Sequence, residues 1–135
     1  MKPFPVLLTF DLDGETAFEE MHPGIPYYVT QGGYGPRKGF YRIMDLLDKY
    51  SIKGTFCVVG QTAERYPEAV EEIVSRGHEL ACHGYTHRGY NALEPEEEKE
   101  AIVKSREILE DVYGMPIVGH RTPRWRPSVR TQKNL

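Results

Sequence analysis

The chain of 135 residues has little of what would tie it to a membrane, a disulfide scaffold or a nucleic acid. It contains only two cysteines, Cys57 and Cys82. Both fall in apolar strand-like runs and read as reduced core residues, since free cysteine is among the most buried residue types. Long apolar runs are missing. The first, Val6 to Phe10, is broken by Thr9 and followed at once by acids, which is too short for a signal-peptide core or a membrane span. A cytoplasmic location is the resulting expectation. There is no excess of positive charge either: the formal net charge is -3, so neither nucleic acid nor a membrane surface is expected as a partner. Repeats, low-complexity tracts and linkers are also lacking, which leaves one domain, or a piece of one, over residues 1–135.

What is present is an alternation of strand and helix patterns. An apolar strand at residues 5 to 10 precedes a Gly/Pro/Tyr-rich stretch, expected to be a loop, through Pro36. Arg37 to Tyr50 carries Phe40, Ile43, Met44 and Leu47 on one helical face. Lys53 to Val59 reads as a second strand. Ala69, Val70, Ile73 and Val74 mark a second helix, with Pro67 in its first turn and Gly77 as its stop. His78 to Cys82 is a third strand. The acidic run Glu94 to Glu100 opens a helix through Tyr113, where negative charge suits the N-terminus and Gly114 the end. Ile117 to His120 is a short fourth strand, and Ser128 begins another helical pattern. The expectation is an α/β fold with about four parallel strands alternating with helices. Such a chain is the N-terminal half of a distorted (β/α) barrel or a small doubly wound sheet; a whole barrel needs about 250 residues. A half barrel would leave Phe10, Phe56 and Leu80 without the strands that close over them. It would also expose a strand edge and an apolar face, so self-association into a homo-oligomer is expected.

Three clusters carry the chemistry. In Thr9-Phe10-Asp11-Leu12-Asp13-Gly14-Glu15, two carboxylates stand two apart where the first strand runs out, so they face one space. Carboxylates that close repel unless a cation joins them. A solvated Asp-Gly hairpin turn is the alternative, but no strand follows at hairpin distance. In Cys82-His83-Gly84-Tyr85-Thr86-His87, two imidazoles four apart leave the end of a strand. Alone they could be surface histidines; with one carboxylate they suit zinc or a similar divalent ion that keeps a position open for water. The third cluster, Gly119-His120-Arg121-Thr122-Pro123-Arg124-Trp125, offers an Arg that could hold a carboxylate and a Trp that could wall a pocket, or it is an ordinary basic loop. All three follow strand C-terminal ends, where α/β sheets and barrels build their sites.

Together the clusters resemble the polysaccharide deacetylases, metal-dependent enzymes with a distorted (β/α) barrel. Their first motif is Thr-Phe-Asp-Asp-Gly or a relative, here TFDLDGE. Their second is His-x-x-x-His, here HGYTH at 83 to 87. Their third is an Arg-Pro-aromatic segment, here RTPRW at 121 to 125. The resemblance implies a divalent metal, zinc foremost with cobalt, nickel, iron or manganese as others, held by Asp13, His83 and His87. It implies Asp11 as general base, Arg121 as the group that tethers and tunes it, and Trp125 with Pro123 as substrate-groove residues. A backbone N–H of the third motif would help hold the oxyanion. The implied activity is hydrolysis of non-peptide C–N bonds, with an N-acetylated sugar, oligosaccharide or related small amide as substrate. Two departures stand out. The family's later Asp-containing motif and its Leu-x-His general acid do not occur in this chain, and His120 is not taken as their replacement. The DxDGE form followed by Tyr34-Gly35-Pro36-Arg37 is similar to a cytoplasmic branch that includes cyclic-imide hydrolases, allantoinase-like enzymes and proteins called peptidoglycan deacetylases. In that branch Glu15 and Arg37 would contact substrate; the alternative is that they are charges of a surface turn. A cyclic-imide or allantoin amidohydrolase, or a metal-binding fragment lacking its general acid, are the alternative functions.

Overall fold

The computed structural model describes residues 4–135, so the first three positions of the expected domain lie outside the described residues. Four strands, β1 (Thr9–Leu12), β2 (Thr55–Val58), β3 (Glu79–Cys82) and β4 (Gly119–His120), pair in parallel in the order β1-β2-β3-β4. Strands that neighbour one another in space as they do in sequence form an arc of a (β/α) barrel. A doubly wound sheet reverses its order at a switch point, and this sheet has none.

The register explains why the motifs meet. Leu12 lies opposite Val58, Val58 opposite Cys82, and Cys82 opposite His120. One step further along each strand come Asp13, Val59, His83 and Arg121. The chain leaves the sheet at one row, and three of its four positions are candidate site residues.

β1 begins four residues later than the sequence pattern suggests. β2 offers a partner only from Thr55, so among the described residues before β1 the sheet bonds only Leu8, whose carbonyl accepts from Thr55 N–H at 3.0 Å. Val6 and Leu7 are exposed. Asp11 therefore sits within the strand rather than past its end. The stretch to Pro36 is not a loop either. It contains α1 (Thr16–Met21), α2 (Pro26–Gly32) and the start of a π-helical turn (Gly35–Gly39) that runs into α3 (Phe40–Lys49). Pro26 stands in the first turn of α2, where its missing N–H costs nothing. The glycines masked these elements because in sequence they read as punctuation.

β2 leads into α4 (Gly60–Arg65), also absent from the pattern, and α5 (Pro67–Ser75). The long α6 (Pro95–Tyr113) starts at the acidic run with a Glu94–Glu97 capping box and stops at Gly114, whose φ of 68° is left-handed. A short α7 (Thr131–Asn134) ends the chain.

The core lies between the sheet and its helices. Met44 and Leu47 of α3, Val70 and Ile73 of α5 and Leu109 of α6 pack with Phe56, Val58 and Leu80. Each such side chain contributes about 1.5–3 kcal/mol by leaving water. Phe56 and Leu80 are 1% exposed, so the helices, not further strands, cover them, contrary to the expectation. Only Phe10 stays half-buried, stacked on Phe56 with ring centroids 5.1 Å apart.

Glu98 ties the end of the chain to α6. Its carboxylate is wholly buried and accepts from Thr131 Oγ1 (2.6 Å), Ser128 Oγ (2.7 Å) and Arg130 Nε (3.3 Å). Burial pushes this carboxyl up, but the Ser128 and Thr131 hydroxyls and the Arg130 charge outweigh it and hold it below its ordinary value. Glu98→Ala leaves those donors unpaired, and a loss of about 3 kcal/mol in denaturant unfolding is expected. A folded-state pKa below the unfolded one means this stability is complete above about pH 4.3 and is lost as pH falls through the folded value. An unchanged unfolding midpoint in Glu98→Ala would show that the tether contributes nothing.

Candidate metal centre

Asp13 follows the end of β1, in a turn made by Gly14 at a φ of 59°. Two hydroxyls fix its backbone: Thr16 Oγ1 and Thr62 Oγ1 each donate to the Asp13 carbonyl at 2.6 Å. α2 closes behind the turn. A Cβ on Gly32 would lie 2.5 Å from the Gly14 carbonyl oxygen, so only glycine permits that approach. The carboxylate is left pointing at the second cluster, with Oδ1 3.6 Å from His83 Nε2 and Oδ2 3.4 Å from His87 Nε2.

His83 follows β3 directly and is 2% exposed. Its Nδ1 lies 2.7 Å from the Arg121 carbonyl, to which it donates. That bond fixes the tautomer and leaves the Nε2 lone pair facing Asp13. One ligand atom from each of Asp13, His83 and His87 lies within 4.8 Å of the others. Asp13 Oδ1 is buried and without a hydrogen-bond partner. Two imidazoles and an unpartnered carboxylate oxygen facing one point fit a divalent cation. Burial pushes the His83 and His87 pKa values below the ordinary imidazole value, which keeps both rings neutral as ligands must be. Burial raises the Asp13 carboxyl, His83 counters it, and Asp11 raises it further.

Beside this point Asp11 is ion-paired with Arg121, whose Nη1 donates to Asp11 Oδ1 and whose Nη2 donates to Thr9 Oγ1 at 2.6 Å. Trp125 lies over the Arg121 guanidinium at 5.1 Å and is 74% exposed. Pro123 is buried against Gly84, where a Cβ would come within 2.8 Å of its ring. It spaces the third segment from the histidine loop. Glu15 and Arg37 meet each other: Glu15 Oε1 accepts from the Tyr66 hydroxyl at 2.5 Å and lies 3.6 Å from Arg37 Nη2, with Glu15 buried. The remaining oxygen, Oε2, is buried without a hydrogen-bond partner.

Two further titratable side chains lie close by. Cys57 faces Asp11 across the sheet, but burial pushes its thiol up to about 11. His120 stacks on Tyr90 with both ring nitrogens buried and unpartnered, and burial, the largest cause, lowers it to about 4. Thr9, Thr16 and Thr62 escaped the sequence reading, as did the orienting carbonyl of Arg121. Hydroxyls and backbone oxygens carry no motif of their own.

The sequence profile of the family described as Polysaccharide deacetylase matches residues 2–134, and the chain belongs to that family. The chain is 30% identical over 110 residues to the peptidoglycan deacetylase of Helicobacter pylori, covering 82% of this chain and 38% of that protein. A structure from Mycobacterium smegmatis assigned to the polysaccharide deacetylases superposes with a TM-score of 0.87 at 33% identity, over 98% of this chain and 49% of that one. The PuuE allantoinase shares the fold at a TM-score of 0.82 and 21% identity, over 95% of this chain and 48% of the other. The chain thus spans about half the length of these structures, and less of the Helicobacter protein.

Proposed function

We propose that residues 1–135 are the front part of a deacetylase domain that hydrolyses the amide of an N-acetylated sugar or a related small amide. One observation carries the reading: Asp13, His83 and His87 converge beside the Asp11–Arg121 pair at the same sheet edge. Family membership supports it. In this proposal Asp13, His83 and His87 hold a divalent ion, zinc first, which when bound polarises the acyl oxygen and lowers the pKa of water. Asp11 takes the proton from the attacking water, and Arg121 fixes the carboxylate's direction through its second bond to Thr9. Trp125 and Pro123 shape the groove, with Glu15 and Arg37 as candidate substrate contacts further along the Asp13 loop. Within the third segment the Trp125 and Arg126 amides are used by turn bonds to Thr122 and Pro123 carbonyls. Among the described residues neither the Thr122 nor the Arg124 amide makes such a turn bond, and of these two donors we assign Arg124 to the oxyanion.

No helix among the described residues is long and apolar enough to cross a membrane. The cytoplasmic placement belongs to the same proposal; its support is the pair of free, buried cysteines, which a reducing compartment maintains as thiols.

The test is turnover of N-acetylglucosamine oligomers against hydantoin-like rings by metal-loaded protein. Release of acetate supports the deacetylase reading, ring opening supports the imide reading, and metal retention without turnover of either supports a fragment lacking its general acid. A companion result concerns assembly. β1 and β4 each have one unpaired edge among the described residues, and Val118 and Val129 are 87% and 93% exposed. Light scattering of the isolated chain is expected to show self-association. A stable monomer would overturn the homo-oligomer proposal.

A further inference from the structure

We propose that Arg124 is a specificity-determining residue whose guanidinium takes a carboxylate carried by the substrate beside the scissile amide, displacing Glu20. The inference rests on the hydrolase reading above and narrows its substrates to acylated amines with an anionic group close by.

The backbone of the third segment supplies the first argument. Arg124 and Trp125 both have a φ of 56°, two successive non-glycine residues in the left-handed region. Such a conformation is unfavourable for side chains with a Cβ and persists where a site needs a side chain aimed in a particular direction. Here it divides the segment. Trp125 returns over Arg121, while Arg124 Nη1 reaches Glu20 Oε1 on α1 at 3.6 Å.

The second argument is position. Glu20 and the candidate ligand His87 line one cavity of about 170 Å³, together with Glu19 and Arg88. Arg124 thus meets, through Glu20, the wall of a cavity that shares His87 with the candidate metal centre.

The third argument is the looseness of the pair. Glu19 is gripped by Arg65 through contacts of 2.9 and 3.1 Å, which cancels its charge. Arg121 is committed to Asp11 and Thr9. Arg124 and Glu20 approach only to 3.6 Å, beyond hydrogen-bond reach, with side chains 30% and 27% exposed. An ion pair of this kind is weak, whereas a carboxylate that meets a guanidinium bidentately is held strongly. A substrate carboxylate can therefore replace Glu20. Arg88, exposed at the same cavity, adds a second cation. With Glu19 neutralised, the charge left facing an incoming ligand is positive.

The sole tryptophan is Trp125, next to Arg124, so its fluorescence reports binding without requiring catalysis. The test titrates the protein with N-acetylmuramic acid and with N-acetylglucosamine, which differ by a lactyl carboxylate. The acid is expected to bind at least tenfold more tightly. Arg124→Gln should remove that preference, bringing the ratio of the two affinities to within twofold of one. Glu20→Gln should tighten the acid at least threefold by removing the internal competitor, an effect a purely structural role would not produce. Equal affinities in the unaltered protein, no saturable binding of the acid, or a preference that survives Arg124→Gln would overturn the proposal. If circular dichroism shows Arg124→Gln unfolded, Glu20→Gln decides, and unchanged or weaker acid binding overturns it. Turnover is scored separately. Selective binding without hydrolysis refutes the hydrolase reading and keeps the anion site; hydrolysis of both sugars with equal affinity does the reverse.

Discussion

Replacing His83 or His87 by Ala is expected to abolish stoichiometric binding of zinc or cobalt, with affinity falling by about a hundredfold or more. Loss of a group that only orients a ligand costs about 10–100-fold, so loss of the ligand itself should cost at least the upper figure. His83 should show the larger effect. It is 2% exposed and its ring is fixed by the Arg121 carbonyl, so no neighbouring side chain or water can take its place at low cost. Asp13→Asn should behave similarly, because it exchanges the unpartnered charged oxygen facing both imidazoles for a neutral amide. Elemental analysis and a chelator-competition titration measure both effects. Metal content unchanged in both histidine variants would remove the ligand assignment. The pH dependence has a definite sign. Ligands must be deprotonated, and burial puts both imidazoles below the ordinary value of 6.5. Binding should therefore be complete at neutral pH and weaken only as pH falls below that value.

The convergence of Asp13, His83 and Arg121 was legible in the sequence because these positions obey one geometric rule. Strands of a parallel sheet end at a common edge, and the residue following each of β1, β3 and β4 is Asp13, His83 or Arg121. Apolar runs located the ends of β3 and β4 but put that of β1 two residues early, and α3, α5 and α6 were legible because each buries a regular stripe. The pattern failed where stability is not stored in stripes. α1, α2 and α4 have six or seven residues each, too few turns for periodicity to register. The π-helical turn includes Gly35, Pro36 and Gly39, residues that in sequence signal a break in structure. β1 was placed too early because its apolar residues continue upstream of its partner, and hydrophobicity does not reveal where a neighbouring strand starts. The groups that hold the site in shape were hidden for another reason. Thr9, Thr16 and Thr62 act through single hydroxyls, and the Arg121 carbonyl acts through the main chain, so nothing in their identity announces the role.

Asp11→Asn is expected to leave the metal in place and to lower turnover by about 10²–10⁴-fold, the usual contribution of a positioned general base. The division of roles between the two acids follows from their partners. Asp13 faces the two imidazoles, whereas Asp11 is turned to Arg121 on the neighbouring third segment. Asparagine keeps the shape and can still meet the Arg121 guanidinium through its amide oxygen, so the edge of the sheet should stay intact. What it lacks is the capacity to accept a proton. Arg121→Lys separates positioning from proton transfer, because a lysine keeps the charge but not the fork that reaches Asp11 and Thr9 together. Its turnover should fall between those of the unaltered protein and Asp11→Asn, and the double variant should be no slower than Asp11→Asn alone, since the two residues act as one unit. Metal analysis and steady-state rates on an N-acetylated sugar measure the set. If Asp11→Asn loses the ion as completely as Asp13→Asn, or keeps turnover within tenfold of the unaltered protein, the two carboxylates do not divide the work in this way.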